Sequence, residues 1–211
     1  MRPAADLAGC ADAHARLLVT IERVDEDVVR RPSRLPEWTV AHVLAHLARN
    51  ADSHVRRFEA AARGEVIEQY PGGAEGRAAE IEAGARRDAR AIVDDLRASI
   101  GAFARVTEAM PDDAWSGVTV DVGGRERPAH VLPSRRWQEV EVHHVDLGLG
   151  YELDDWPDAF VAARLPRMLE LLPARLPAGT AVPSLGLSER EQLAWCYCRI
   201  DVPGLPKLPP F

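Results

Sequence analysis

Arg135-Arg136-Trp137-Gln138-Glu139-Val140-Glu141-Val142-His143-His144-Val145-Asp146-Leu147 is the stretch whose reading decides the fold. Two periods compete in it. Val140 and Val142 alternate with Glu139, Glu141 and His143, as in a strand, whereas Ser134 offers a cap for a helix running on to Leu147 before Gly148 and Gly150. The helical patterns around the stretch favour helix. On a helix Glu139 and His143, four apart, stand about 40° from overlying one another on one face. A carboxylate and an imidazole so placed can reach one metal ion.

A second source of imidazoles lies far upstream, in Trp38-Thr39-Val40-Ala41-His42-Val43-Leu44-Ala45-His46-Leu47. Thr39 can cap a helix there, with Trp38 and Val43 closing a hydrophobic staple around its first turn. The apolar stripe continues through Leu47, Ala51, Val55 and Phe58. His46 sits about 120° from the middle of that stripe, beside His42, Asn50 and Ser53. Such a shoulder position is partly exposed surface unless a neighbouring helix or a cavity covers it. His42 and His46 are themselves four apart, and spacing alone does not choose between them as a ligand.

Around these two segments the chain reads as mainly α. Residues 5–24 carry a helical stripe ended by Asp25-Glu26-Asp27, Pro32 and Pro36. The longest pattern, about 77–110, runs through Ile81, Ala85, Ala89, Ile92, Leu96, Ile100, Phe103 and Met110 to Pro111. Val118, Val120 and Val122 alternate before Gly123-Gly124, which predicts a short hairpin. A fifth pattern over 158–173 is interrupted by Pro166. Ser188-Glu189-Arg190-Glu191 spells a capping box leading a last helix through Trp195, and Pro203–Phe211 is expected to pack as an extended strap. The expectation is a four-helix bundle with long connections over 1–175, followed by a reduced segment over 176–211. Bundles build metal sites from inward side chains on facing helices.

The apolar fraction of 46% and charged fraction of 28% are those of a soluble globular protein with a normal core. A net charge of -7 argues against nucleic acid or an anionic membrane as partner. No run of apolar residues is long enough for a membrane span, and Met1–Asp6 lacks the core of a signal peptide. Three cysteines give no disulfide framework. Cys196 and Cys198, two apart on a helix, face different ways and read as packing. A cytoplasmic protein with reduced thiols, monomeric or weakly dimeric, is expected.

Two histidines and a glutamate leave a fourth zinc position open, the catalytic arrangement, where a thiol or water can bind and lose a proton. Asp146, three after His143, either orients that imidazole or is a solvated acid at the helix end. Glu141 and His144 point elsewhere, as supporting or surface groups. Arg77 and Arg199 are surface arginines by default. Tyr70-Pro71-Gly72-Gly73 is a turn without the context of a phosphate loop.

Leu35-Pro36-Glu37-Trp38-Thr39-Val40-Ala41-His42-Val43-Leu44-Ala45-His46-Leu47-Ala48-Arg49-Asn50-Ala51-Asp52 and Arg136–Leu147 together resemble the mycothiol-dependent maleylpyruvate isomerase family. That family belongs to the DinB-like group of metal-binding four-helix bundles. The resemblance implies a divalent metal, usually zinc, held by His46, Glu139 and His143, and so selects His46 over His42 by analogy. It also implies mycothiol as the thiol cofactor and a small-molecule electrophile as substrate. The implied enzyme is an isomerase or thiol transferase. Thiolate adds to the double bond of maleylpyruvate, the resulting single bond rotates, and the thiol departs to leave fumarylpyruvate. Asn50, inside the first of these segments, and Arg77, in a segment Tyr70…Arg77…Ile81-Glu82 that also resembles the family's, are the implied cofactor contacts, with Arg77 also meeting an anionic substrate. The ending Leu193-Ala194-Trp195-Cys196-Tyr197-Cys198-Arg199 resembles the family's closing helix and makes Arg199 the implied substrate-binding arginine. Only a short loop precedes it, so the strands of the family's small C-terminal α/β domain are expected to be mostly missing. The rival readings are a thiol-independent DinB-like metallohydrolase and a non-catalytic metal-binding or regulatory bundle.

Overall fold

The computed structural model describes residues 1–177, 180, 183 and 186–209. The chain divides into two compact units, Met1–Leu149 and Gly150–Phe211. In the first, helices α1 (Ala4–Ile21), α2 (Glu26–Arg30), α3 (Val40–Ala62), α4 (Gly73–Ala85), α5 (Ala89–Ala109) and α6 (Leu132–Asp146) follow one another, with strands β1 (Val118–Val120) and β2 (Glu126–Pro128) before α6. α3 packs against α4, α5 and α6, and α1 against α5 and α6. The mainly α four-helix bundle expected from the apolar periods is therefore the architecture, made of α1, α3, α5 and α6. α1 approaches α6 so closely at Gly9 that a Cβ there would lie 2.5 Å from the Trp137 ring.

The long pattern over 77–110 is two helices. The chain breaks at 86–88, where the Asp88 carboxylate accepts the Ala91 N–H at 2.8 Å and caps α5. The acidic segment after α1, read as a mere helix stop, forms α2 under an Asp25 cap and satisfies both broken ends. Glu26 accepts the Ala89 N–H at 2.8 Å, and Arg30 donates to the carbonyls of Ala85 and Arg87 at 2.7 Å each. The apolar spacing continues across the break, so periodicity cannot reveal it. α6 also starts earlier than its serine suggests: Pro133 occupies the first turn, where its missing N–H is harmless, and Ser134 lies inside the helix. The hairpin forms as expected, pairing Val118 with Pro128 and Val120 with Glu126 around Gly124 at φ 76.

The second unit contains α7 (Asp158–Arg175) and α8 (Glu189–Cys196). α7 passes through Pro166 without interruption. Pro166 and Ala162, whose carbonyl it frees, both lie on the exposed side, where water can take the lost hydrogen bond. Because α7 packs on α8, the division of the chain falls after 149 rather than at 175. Ser188 and Glu191 form the expected capping box. Trp156 meets the rings of Phe160 and Tyr197, and Trp195 Nε1 donates to the Pro206 carbonyl of the strap at 3.3 Å. Pro210 and Phe211, the end of that expected strap, lie outside the described residues. Among the described residues no helix is long and apolar enough to cross a membrane.

The bundle buries four imidazoles, those of His14, His46, His54 and His144. Burial pushes His14 and His54 well below the ordinary value of 6.5 and His46 down to about 4. Their folded pKa values lie below the unfolded ones, so the unfolded chain binds more protons once pH falls through 6.5, and stability is lost from there downward. Each group contributes a slope of roughly 1.4 kcal/mol per pH unit. Urea denaturation of metal-free protein is expected to show the unfolding free energy falling steeply between about pH 6.5 and pH 5. A stability that stays flat over that interval would contradict the burial of these neutral rings.

Candidate metal centre

The loop entering α3 is held at both ends. Pro32 and Thr39 form an isolated bridge, Ser33 N–H donates to the Trp38 carbonyl at 2.8 Å, and Arg34 N–H donates to the Asp146 carbonyl at 2.8 Å. The last bond ties this loop to the end of α6. Trp38 then stacks on His42 and meets His46 edge-on, with centroids 6.1 and 5.7 Å away. His42 is committed to local structure. Its Nδ1 accepts the Thr39 N–H at 3.2 Å, completing the cap of α3, and its Nε2 faces Glu82 on α4 at 3.2 Å.

One turn further along α3, His46 is 2% exposed. Its shoulder position is interior because α4, α5 and α6 surround α3 on several sides. His46 Nε2 lies 2.9 Å from Glu139 Oε2, and His143 Nε2 lies 3.6 Å from the same oxygen. The two imidazoles meet at 82° with centroids 4.6 Å apart. One ligand atom from each of the three residues falls within 4.8 Å of the others. Donors at zinc distances in a tetrahedral site are about 3.4 Å apart, so these atoms fit a single ion with small adjustments. His143 Nδ1 faces Asp146 Oδ2 at 2.8 Å, and Asp146 is fully buried. Of the two roles open to Asp146, orienting the imidazole is therefore the one seen.

The electrostatics suit the same purpose. Burial alone would raise the Glu139 carboxyl, but the hydrogen bond from His46 and the neighbouring imidazoles hold it well below the usual carboxylate range. Burial keeps His46 neutral, outweighing its bond to Glu139. A metal ion requires that combination of anionic carboxylate and neutral imidazole.

Arg136, inside the opening stretch, went unremarked in the sequence. It is fully buried, and its guanidinium donates to the Leu47 carbonyl at 2.8 Å, Asn50 Oδ1 at 2.9 Å and His14 Nε2 at 3.0 Å. Its one visible signal was its place three residues before Glu139, on the same face of α6. Asn50, expected to touch the cofactor, is 3% exposed with its amide oxygen taken by Arg136. Glu141 and His144 are buried rather than at the surface. Glu141 accepts from Arg16 and Trp137, and His144 pairs with Thr20 of α1 at 2.7 Å. Arg77 stands beside the cluster, with Nη2 3.1 Å from His46 Nδ1 and its guanidinium carbon 5.8 Å from the centre of the Tyr70 ring. Arg199 lies in the second unit, where Nη1 donates to the Tyr197 carbonyl at 2.6 Å.

The family described as "Mycothiol maleylpyruvate isomerase N-terminal domain" matches residues 10–148. Among solved structures, the crystal structure of the mycothiol-dependent maleylpyruvate isomerase matches at 21% identity with a TM-score of 0.87, covering 100% of this chain and 98% of that one. A histidine-to-alanine mutant of that isomerase matches at 20% identity with a TM-score of 0.88 and the same coverage. At this identity the likeness establishes the fold. It extends through the second unit, in which no strand occurs among the described residues. No curated protein sequence matches the chain.

Metal analysis of variants tests the centre. His46→Ala is expected to abolish stoichiometric zinc binding, while His42→Ala retains it and loses only stability through the cap. Asp146→Asn is expected to weaken zinc binding about 10- to 100-fold. The reverse ranking of the two histidines would assign the ligand to His42.

Proposed function

The chain belongs to the mycothiol maleylpyruvate isomerase family, and from that premise we propose that it is a zinc-dependent enzyme using mycothiol to isomerise maleylpyruvate or a related unsaturated acid. The observation that carries this reading is the convergence of His46, Glu139 and His143 within the residues the family covers. Two imidazole nitrogens and one carboxylate are a donor set that zinc accepts with a position left open. A metal held there supplies the Lewis acidity that turns a bound thiol into a thiolate near neutral pH.

The protein's own residues supply the rest. Asp146 fixes the tautomer of His143 so that its Nε2 lone pair faces the cluster. Glu139 brings the negative charge that favours a dication. Arg77 supplies positive charge for a carboxylate or for the enolate that forms on addition. It lines a groove of about 400 Å³ with Trp38, His42, Ala78, Ile81 and Glu82, open enough for a small acid to approach. Asn50 acts here through Arg136, as the group that holds that guanidinium in place.

The test is disappearance of maleylpyruvate with mycothiol and zinc supplied separately and together. Turnover is expected only with both, with the thiol regenerated, and Arg77→Met is expected to lower kcat/KM by at least about tenfold. Stoichiometric consumption of thiol would make the protein an S-transferase. Turnover without thiol would make it a metallohydrolase of the same fold.

A further inference from the structure

The two histidines of the cluster present their outer nitrogens to groups of opposite polarity. His143 Nδ1 faces the Asp146 carboxylate at 2.8 Å, so Nδ1 of this ring holds a proton and Nε2 is the nitrogen turned toward Glu139. His46 Nδ1 instead faces Nη2 of Arg77 at 3.1 Å. A guanidinium offers donors and no acceptor, so His46 Nδ1 must accept. The single proton of this neutral ring then sits on Nε2, where it is donated to Glu139 at 2.9 Å. A ring that binds a metal through Nε2 holds its proton on Nδ1 and becomes a donor there. Two donors would then face each other across the distance that now separates His46 from Arg77.

We propose that Arg77 and the metal compete for His46, so that loading the metal ejects the Arg77 guanidinium and frees it to bind a carboxylate in the adjoining groove. The proposal rests on the reading of His46, Glu139 and His143 as a metal site. Arg77 is half-buried on α4 and already lines the groove with Trp38 and His42, so it needs to swing only from one wall. The Tyr70 ring, 5.8 Å from the guanidinium carbon, already holds the cation from another side and can retain it once His46 no longer accepts. In the metal-free protein this guanidinium is held by His46 and is less available to an anion in the groove. Metal and anion therefore assist one another, each tightening the other by the same factor. The device recruits an acidic substrate to loaded sites in preference to empty ones.

The experiment measures zinc affinity by chelator competition in the wild-type protein and in Arg77→Met, with and without succinate as a dicarboxylate probe. Arg77→Met is expected to bind zinc about tenfold more tightly than wild type. Succinate is expected to tighten zinc binding to the wild type and to leave Arg77→Met unchanged. Nitrogen-15 NMR of the wild-type histidines gives a readout independent of any variant: the His46 proton is expected on Nε2 without zinc and on Nδ1 with it. Equal or weaker zinc binding by Arg77→Met, or an Nδ1 proton on His46 before zinc is added, overturns the proposal while leaving the metal site intact. A wild-type protein that binds no zinc overturns the metal reading itself, and the competition with it.

Discussion

A guanidinium buried without a carboxylate against it is expensive, because nothing replaces the water it leaves except the hydrogen bonds the fold can offer. Arg136 meets most of that demand from two helices at once, through Nε and Nη1, with its buried Nη2 left unbonded. Leu47 and Asn50 of α3 and His14 of α1 receive its N–H groups. Leu47 adjoins His46, and Arg136 lies one turn before Glu139, so the contact that holds the guanidinium also fixes the register in which Glu139 lies opposite His46. A slip of one residue along α6 would rotate the helix by about 100° and shift it by about 1.5 Å. It would break the Arg136 bonds and separate the ligand atoms together.

Once that register is set, the polarity of each nitrogen follows from its neighbour. Burial keeps His46 neutral, and the bond from His46 holds Glu139 ionised against its own burial. His143 is oriented by an acceptor and His46 by a donor. The site is thus prepared for a metal on one side and guarded on the other. Arg77 belongs both to the cluster and to the groove beside it, which makes the occupancy of one bear on the other.

The parts of this arrangement legible in the sequence were those written in local spacing. The cap at Thr39, the E-x3-H pair on α6 and the capping box at Ser188 each depend on residues within a turn of one another. The family resemblance then chose His46 over His42, which spacing left open. What escaped was decided by neighbours distant in the chain. The break between α4 and α5 leaves the apolar period intact and is stabilised by Glu26 and Arg30 from α2. Pro166 reads as an interruption until its side of α7 is known to face water. His46 looks half-exposed on a wheel because a wheel omits the helices packed against the shoulder of α3. Asn50 looked available for a ligand, and the sequence left Glu141 and His144 as supporting or surface groups, because Arg136, Arg16 and Thr20, which they bond, lie on other helices.

The central claim, one metal ion held between α3 and α6 by two imidazoles and a carboxylate, is tested most directly by X-ray absorption spectroscopy of the zinc-loaded protein. The account predicts a shell of nitrogen and oxygen at about 2.0–2.1 Å, with the outer-shell scattering of two imidazole rings and a sulfur at about 2.3 Å appearing only when a thiol is added. A shell with one imidazole or none, or with sulfur already present before any thiol is supplied, would contradict it.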